Sequence, residues 1–526
     1  MRLRTVISSF GLLIGGVAME IGEYKRSKVQ MIGLILGPIL FFLVLLFDFV
    51  PEKVVVTRMA AIVVLMAVWW ITEAIPLAAT AMLPMILYPL MNILKGSATA
   101  PIYFNSTIFL FIGGFMIALT MEKWNLHKRL ALLTIRAIGG GPSRIILGFM
   151  AASAFLSAWM SNTATTIMML PIGLSIIFQI EEEFGENDSH RFSLCLMLGI
   201  AYGASMGGMA TLVGTPPNLV LQRTFELTFP KATPISFGIW MIMAVPLSVC
   251  MILIIWVALT KLIYRLPEHL RIDPEVVDKE YEALGPMTYE EKVVAVLFAV
   301  TGVLWVFREN LVLGFVTIPG WSNLLPTSNL IDDGTVAIFM ASLLFFLPTR
   351  NPKAKTATLM DVTVFKNLPW DIVILFGGGF ALAKGFQVTE LAAFIGNKLR
   401  VLAGFSTVGM IGVICTMLTF LTELTSNTAT TQMVLPILAS LAVAMKTNPL
   451  LLMIPATLSA SCAFMMPVAT PPNAIVFGSG RVRIGEMVKA GLLINLTGVV
   501  VITALFLVVG TAVFAINIGV LPDWAQ

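Results

Sequence analysis

The chain has 526 residues, of which 58% are hydrophobic and 12% are charged, and its mean hydropathy is +0.93. Soluble domains carry about 25% charged residues, so this composition excludes a soluble globular protein and predicts a polytopic membrane protein. The net charge of +4 does not indicate a nucleic-acid partner, because the Lys and Arg residues flank apolar runs, as they do in membrane proteins.

Apolar runs long enough to cross a lipid bilayer, roughly 20 residues, recur along the chain. They include residues 31–50, 60–86, 236–263, 293–305 with its flanks, and 492–518. With shorter segments between them, these runs predict an all-α polytopic fold of about eleven transmembrane helices. Lys and Arg before the first run, and their absence after the last, predict a cytoplasmic N-terminus and an external C-terminus.

The polar stretches divide the chain into two halves. Residues 5–19 are apolar but lack a clear signal-peptidase site, so we interpret the start of the chain as an uncleaved segment at the membrane surface. A proline-containing connector with mixed charges lies near the middle of the chain. The predicted parts are an interfacial segment (1–30), repeat one (31–265), the connector (266–284), repeat two (285–518) and a tail (519–526).

Two polar phrases occur once in each half. Ser-Asn-Thr-Ala-Thr-Thr occupies residues 161–166 and 426–431, a shift of 265 positions, and Thr-Pro-Pro-Asn occupies 215–218 and 470–473, a shift of 255. One copy of the first phrase would indicate an ordinary helix N-cap. Polar groups without partners are costly in apolar surroundings, so their repetition predicts a bound ligand. The duplication also predicts two inverted repeats, as in many transporters.

The segments before each Ser-Asn-Thr, residues 145–160 and 408–424, are apolar but too short to cross the membrane and return. We therefore predict two re-entrant hairpins with polar tips. The paired prolines after Thr215 and Thr470 predict a broken helix in each half. Hydroxyl, amide and freed carbonyl oxygens suit Na⁺. Because neither phrase contains a charged residue, bound cations rather than a fixed Arg would balance an anionic substrate.

Other polar residues give weaker signals. Glu73 and Glu423 stand in apolar settings, and each is either a functional acid or an acid near an interface or bonded to helix ends. His127, His190 and His269 fall in charged stretches and are predicted to be solvated. The four cysteines are predicted to be small, unpaired core residues: Cys195, Cys250, Cys415 and Cys462.

The paired Ser-Asn-Thr and Thr-Pro-Pro phrases resemble those of the divalent anion:sodium symporter (DASS) family, over nearly the whole chain from about Met31 onward. The Trp69–Pro76 segment and residues 123–127 are similar to the bacterial INDY-type dicarboxylate carriers. The resemblance implies eleven transmembrane helices with two re-entrant hairpins. It also implies a homodimer held by scaffold domains, with an elevator motion of each transport domain.

The resemblance also implies ligands at matching positions, with at least two Na⁺ sites. One Na⁺ site would involve Ser157, Ser161, Asn162 and Gly214, and the pseudo-symmetric site Thr422, Ser426, Asn427 and Ala469. The substrate would contact Asn162, Thr163, Thr215, Pro216, Asn427, Thr428, Thr470 and Pro471. The replacement of Gly214 by Ala469 in the second copy predicts that the two cation sites differ in affinity.

These features predict a Na⁺-coupled symporter that imports C4-dicarboxylates such as succinate, fumarate and malate across the bacterial plasma membrane. Citrate or sulfate could instead be the substrate, or the protein could exchange dicarboxylates without Na⁺. A membrane enzyme would need a catalytic set, and the sequence contains no HExxH motif and no paired aspartates in the apolar runs. A passive channel fits duplicated, broken helices less well than alternating access does.

Overall fold

The computed structural model describes residues 26–47, 49–50, 52–266, 275–313, 316–354, 356–399 and 406–525. Their regular secondary structure is helical, apart from one short antiparallel pair of strands, β1 (Leu311–Leu313) and β2 (Val316–Ile318), and an isolated bridge between Pro348 and Thr358. The predicted interfacial segment 1–30 lies mostly outside the described residues.

The helices of the first half follow in chain order. They are α1 (Lys28–Leu45), α2 (Val54–Thr72), α3 (Leu77–Ala81), α4 (Leu83–Leu90), α5 (Gly96–Tyr103), α6 (Ser106–Lys123), α7 (Leu126–Ile138), α8 (Pro142–Ser157), α9 (Asn162–Phe184), α10 (Glu186–Gly208), α11 (Pro216–Thr228) and α12 (Phe237–Val257). A π-helical turn, Ala258–Ile263, extends α12.

The second half begins after the connector. Its helices are α13 (Glu275–Glu282), α14 (Tyr289–Val306), α15 (Asp333–Phe346), α16 (Val364–Asn367), α17 (Trp370–Val388), α18 (Leu391–Leu399), α19 (Thr407–Leu421), α20 (Asn427–Ala444), α21 (Leu450–Ala460), α22 (Pro471–Gly478), α23 (Ile484–Leu505) and α24 (Thr511–Val513). A π-helical turn, Phe506–Gly510, joins the last two. Short 3₁₀ turns occur at Trp321–Leu324, Ser328–Leu330 and Asp523–Ala525.

The helices around the two polar phrases follow the same order in both halves. Helices α6 to α12 correspond one for one to α17 to α23, and the two helices that follow the Ser-Asn-Thr residues begin at Asn162 and Asn427. The shift of 265 positions read from the sequence therefore also relates the helix starts. A four-residue turn, 158–161, separates α8 from α9. The corresponding turn, 423–426, follows the cap residue Thr422 and separates α19 from α20.

Eight helical segments among the described residues are long and apolar enough to cross a membrane, and five shorter apolar helices accompany them. The total of eleven spans stays a prediction. The arms before the polar tips, α8 and α19, have 16 and 15 residues and are short, as expected. The arms after the tips, α9 and α20, have 23 and 18 residues and reach spanning length.

The apolar run 60–86 is not one continuous helix, contrary to what its length indicates. Helix α2 ends at Thr72, and Glu73 adopts a left-handed conformation with φ 48°. Pro76 disfavours helical geometry for the residue before it, so the chain restarts as α3 and α4. The Glu73 side chain is exposed at this break, which favours its interpretation as an acid near an interface.

Small residues allow the first hairpin to pack closely on its neighbour. A Cβ atom at Gly207 would lie 2.1 Å from the carbonyl oxygen of Ala154, and one at Gly203 would lie 2.7 Å from that of Met150. Backbone contact of this kind is typical of small residues spaced four apart in membrane helices. It fixes α8 against α10, and thereby positions the first polar tip beside the end of α10.

Helix α13, which lies within the predicted connector, packs on α7 of the first half. Arg129 of α7 is buried and bonds Glu291 of α14 at 2.9 Å and 3.3 Å. Arg136 pairs with Asp278 of α13 at 2.8 Å. The Tyr281 ring lies 5.6 Å and 5.5 Å from the two guanidinium carbons. Helix α18 is the counterpart of α7 in the second half. Among the described residues, a single exposed ion pair lies next to it, between Lys53 and Glu390.

The prediction of solvated histidines is wrong for His127, whereas the His190 side chain is 40% exposed. His127 is 7% exposed on α7, where its Nδ1 atom lies 3.1 Å from the carbonyl oxygen of Met121, and burial lowers its pKa. His190 is on α10 and bonds Glu486 at 2.9 Å. Both stretches are helices and not loops, and Arg129, a charged neighbour of His127, is also buried, because it pairs with Glu291. His269 lies outside the described residues.

The four cysteines are free, and Cys195, Cys415 and Cys462 are buried, as predicted. Cys250 is partly buried.

Candidate functional site

The first polar tip is built around Asn162, the first residue of α9. The Ser157 hydroxyl donates to its Oδ1 atom at 2.5 Å across the turn. Ser161 caps the helix, and its Oγ atom accepts from the backbone N–H of Ala164 at 3.1 Å. Ser161 therefore serves as the helix cap, while Asn162 faces Ser157 across the turn.

The first broken helix lies beside this tip. Helix α10 ends at Gly208 and α11 begins at Pro216, so residues 209–215 form an unwound loop. Proline is well tolerated at the first positions of a helix, which is where Pro216 stands. The Nδ2 atom of Asn218 donates to carbonyl oxygens of this loop, most closely to Thr211 at 2.7 Å.

Carbonyl oxygens converge on Gly214. A Cβ atom there would lie 2.6 Å from the oxygen of Gly208, 2.9 Å from that of Ser157 and 3.0 Å from that of Ala158. The Oδ1 atom of Asn162 is in the same cluster, at 2.6 Å from the position of a Cβ on Gly208. Main-chain and amide oxygens gathered from a hairpin tip and an unwound loop are the ligands that hard cations prefer. This cluster could hold Na⁺.

The second polar tip repeats this arrangement. The Thr422 hydroxyl lies 2.6 Å from Oδ1 of Asn427 and 2.9 Å from the carbonyl oxygen of Ala460. Ser426 caps α20 by accepting from Ala429 N–H at 3.4 Å. Thr422 thus takes the place of Ser157, with the same contact to the asparagine of the phrase.

The second unwound loop runs from residue 461 to residue 470, between α21 and α22. The Nδ2 atom of Asn473 donates to the carbonyl oxygens of Ala463 and Met466, both at 3.0 Å. Thr470 caps α22, since its Oγ1 atom accepts from the N–H of Asn473 at 3.3 Å. Ala469 is 8% exposed within this loop.

Glu423 bonds to the second loop rather than to a basic side chain. Its Oε1 atom accepts from the N–H groups of Phe464 at 2.7 Å and Met465 at 2.9 Å, and its Oε2 atom accepts from Met466 at 3.0 Å. Asn495 of α23 donates to Oε1 at 2.7 Å. Between the two interpretations left open by the sequence, these contacts favour an acid bonded to broken-helix backbone, directly beside the candidate site.

The two tips differ in what covers them. Trp159 of the first tip packs on α14, with ring centroids 5.1 Å from Phe298 and 6.3 Å from Trp305. Its counterpart at a shift of 265, Leu424, is 71% exposed. Val213 and Val468, related by the shift of 255, are 6% and 78% exposed respectively. At these positions the first tip and loop are therefore buried or packed on a neighbouring helix, whereas the second tip and loop are exposed.

Helix packing brings the halves of the candidate site together in a crossed pattern. Helix α11, which follows the first proline phrase, packs on α20, which follows the second Ser-Asn-Thr. Likewise α9 packs on α22. Thr215, Thr428 and Thr470 are buried, whereas Asn162, Thr163, Pro216 and Asn427 are half-buried and Pro471 is exposed. Sequence reasoning named these residues, but it gave no role to Asn218 and Asn473, although both end the repeated proline phrase.

Paired helical tips, each beside a proline-started helix and an unwound loop, define a polytopic membrane transporter with duplicated halves. The sequence profile described as the sodium:sulfate symporter transmembrane region matches residues 28–516. The chain belongs to this family, the divalent anion:sodium symporters, as the motifs predict.

Curated relatives resemble the chain over most of its length. The sodium-dependent dicarboxylate transporter SdcS of Staphylococcus saprophyticus is 42% identical over 491 residues, 91% of each chain. SdcS of Staphylococcus aureus strain USA300 is 43% identical over 501 residues, 94% of each chain. These relatives are transporters and not enzymes.

Two solved structures share the fold. Neisseria gonorrhoeae MtrF, from a class of antimetabolite efflux pumps, is 13% identical with a TM-score of 0.53, covering 86% of this chain and 94% of its own. The Alcanivorax borkumensis YdaH transporter is 10% identical with a TM-score of 0.51, covering 77% and 85%. At these identities the likeness concerns the fold alone.

Proposed function

We propose that the protein is a Na⁺-coupled symporter that imports C4-dicarboxylates, such as succinate, fumarate and malate, across the bacterial plasma membrane. The supporting observation is the hydrogen bonding of the two asparagines that begin α9 and α20. Each Oδ1 atom lies against a hydroxyl at a cluster of oxygens, Asn162 against Ser157 and Asn427 against Thr422. Among the described residues, neither Nδ2 atom donates to a protein acceptor. The amide can therefore serve a cation through its oxygen and a carboxylate through its N–H groups.

At least two Na⁺ ions would bind, one in each half-site. The first is served by Ser157, Ser161, Asn162 and Gly214, and the second by Thr422, Ser426, Asn427 and Ala469. Bound Na⁺ would complete the substrate site, because two carboxylates entering uncharged polar tips need compensating charge. The substrate would then contact Asn162, Thr163, Thr215, Pro216, Asn427, Thr428, Thr470 and Pro471.

Transport follows from moving this loaded site as one body. The hairpin helices and broken helices of inverted repeats would form the moving domain, and the remaining helices a scaffold in a homodimer. Helices α7 and α18 would join the moving domain to the scaffold. Where more Na⁺ charge than substrate charge enters, each net charge contributes roughly 2.3 kcal/mol per 100 mV, so uptake would depend on the membrane potential. In this arrangement the N-terminus is cytoplasmic and the C-terminus is outside.

The decisive experiment is succinate uptake into proteoliposomes under an inward Na⁺ gradient. We expect uptake with Na⁺ and none when choline replaces it. Equal flux in choline would identify a Na⁺-independent exchanger. Citrate and sulfate, added as competitors, would reveal a different substrate if either abolished succinate uptake at a lower concentration than malate does.

The site assignment is tested by Asn162→Ala and Asn427→Ala. Each removes an oxygen that serves the cation and the N–H donors that serve the carboxylate, so we expect both to abolish Na⁺-driven uptake with expression intact. Asn105→Ala is the control, because Asn105 is an asparagine at a helix start outside the phrases, where it caps α6 by accepting from Thr107 N–H at 3.0 Å. Retained uptake in either motif variant contradicts the assignment.

A further inference from the structure

We infer that Glu423 is a positioning residue that sets the cation affinity of the second half-site by fixing the unwound loop that carries Ala469 and Thr470. This inference rests on the proposed Na⁺ coupling. It assigns the carboxylate no direct contact with the transported ions or substrate.

The carboxylate occupies a backbone nest. Three successive N–H groups, from Phe464, Met465 and Met466, point at its two oxygens within 3.0 Å. Consecutive N–H groups of this kind form a concavity that binds anions. The protein fills this one with its own side chain, since Glu423 is 3% exposed. The nest is therefore closed to the carboxylates of a substrate.

The same loop is held from its carbonyl side. Asn473 donates to Ala463 and Met466 at 3.0 Å, and the Tyr202 hydroxyl donates to Phe464 at 2.7 Å. Donors and acceptors of residues 463–466 are thus engaged on opposite sides. Hydrogen bonds to a charged acceptor are roughly twice as strong as neutral ones, so Glu423 is the strongest of these restraints.

The connection to the cation site is short along the chain. Glu423 directly follows Thr422, whose hydroxyl contacts Asn427, and the nest lies three residues before Ala469. No basic side chain among the described residues forms an ion pair with Glu423. Its negative charge therefore faces a low-dielectric region in which it favours a nearby cation.

The first repeat contains no such charge. The counterpart of Glu423 at a shift of 265 is Ala158, and the first loop is tied by the uncharged Thr211. The Thr211 hydroxyl donates to the carbonyl oxygen of Ala158 at 2.5 Å and accepts from Gly214 N–H at 3.1 Å. Glu423 is therefore specific to the second half-site, and its removal should affect one of two cation equilibria.

The test measures the Na⁺ dependence of thermal unfolding of the purified full-length protein, without substrate, and of succinate uptake. In Glu423→Gln the amide nitrogen cannot accept a hydrogen bond and the charge is lost. We expect the Na⁺ midpoint to rise by about tenfold, with at least half of the wild-type uptake rate at saturating Na⁺. Glu423→Asp keeps the charge but shortens the reach, and its midpoint should lie between the two.

Two further variants separate positioning from simple destabilisation. Tyr88→Phe removes a buried hydrogen bond to Ala381 (2.7 Å) that involves neither phrase and neither unwound loop, and should lower Tm without moving the Na⁺ midpoint. Asn495→Ala keeps the carboxylate and removes one donor, and should raise the midpoint by about threefold even if Glu423→Gln fails to fold. An unchanged midpoint in Glu423→Gln, or in Asn495→Ala if the former does not fold, overturns the inference. A wild-type protein whose stability and uptake ignore Na⁺ instead refutes the proposed function.

Discussion

The two half-sites share their helices and their asparagine contacts, but they differ in how the backbone beside them is held. The first loop is closed by the Thr211 hydroxyl, Trp159 packs the adjacent tip against α14, and a Cβ atom at Gly214 would lie within 3.0 Å of three carbonyl oxygens. The second is held by a buried carboxylate and carries Ala469, and Leu424 of its tip is exposed. Duplication therefore conserved the geometry of the asparagine and its hydroxyl partner while the supporting contacts diverged. Two ions bound in such sites would experience different local charges.

The largest expected effect comes from making the first half-site resemble the second. In Gly214→Ala the new Cβ atom would lie 2.6 Å from the oxygen of Gly208 and 2.9 Å from that of Ser157. The cluster would have to open, so we expect loss of Na⁺-driven succinate uptake, measured in proteoliposomes. The reciprocal Ala469→Gly should retain uptake. Equal activity of the two variants would mean that the loops are interchangeable and that the oxygen cluster at Gly214 is not a cation site.

A smaller effect separates the two tips. Trp159→Ala removes the ring that packs on Phe298 and Trp305, and should lower the free energy of unfolding by about 2 kcal/mol. Leu424→Ala alters a side chain that is 71% exposed and should change it by less than about 0.5 kcal/mol. Thermal unfolding in detergent measures both. A Leu424 variant as unstable as the Trp159 variant would contradict the exposure of Leu424 at the second tip.

The smallest effect concerns the tie in the first loop. Thr211→Val keeps the shape but removes the hydroxyl between Ala158 and Gly214, at a cost of about 1 kcal/mol. The Na⁺ midpoint should rise by about threefold, which is less than in Glu423→Gln, because the lost hydrogen bonds are neutral. The same Na⁺ titration of thermal unfolding compares the two. A larger shift in the Thr211 variant would reverse the proposed order of the two restraints.

Local pattern predicted much of this architecture. The helices that follow each Ser-Asn-Thr begin where the shifted phrases place them, and both proline pairs start helices after unwound loops. These features depend on neighbouring residues: a capping serine, a proline without an N–H group, and a run of apolar side chains. A Cβ at Gly378 would lie 2.5 Å from Ala81, which is the close helix packing that small residues allow.

What the sequence did not predict depends on distant contacts. Glu423 and the N–H groups that it binds are 41 to 43 residues apart, and Asn495 is 72 residues away. No periodicity connects such positions. The prediction for His127 was wrong for a related reason, because its charged neighbour Arg129 is also buried, through a pair with Glu291 that lies 162 residues away. The break at Glu73 was hidden inside a run whose composition alone indicated one helix.

The docking of α13 on α7 has a consequence for the covalent connection between the halves. Arg136 and Asp278 tie α13, which follows the covalent connection, back to the first half, so side-chain contacts as well as the chain itself hold the halves together. The buried pair of Arg129 and Glu291 also joins α14 to α7. Removing one partner of such a pair lowers the free energy of unfolding by about 3–5 kcal/mol. Two separately synthesised polypeptides, divided between residues 266 and 275, would therefore carry complementary surfaces for reassembly. The covalent link would then contribute little to holding the two halves together.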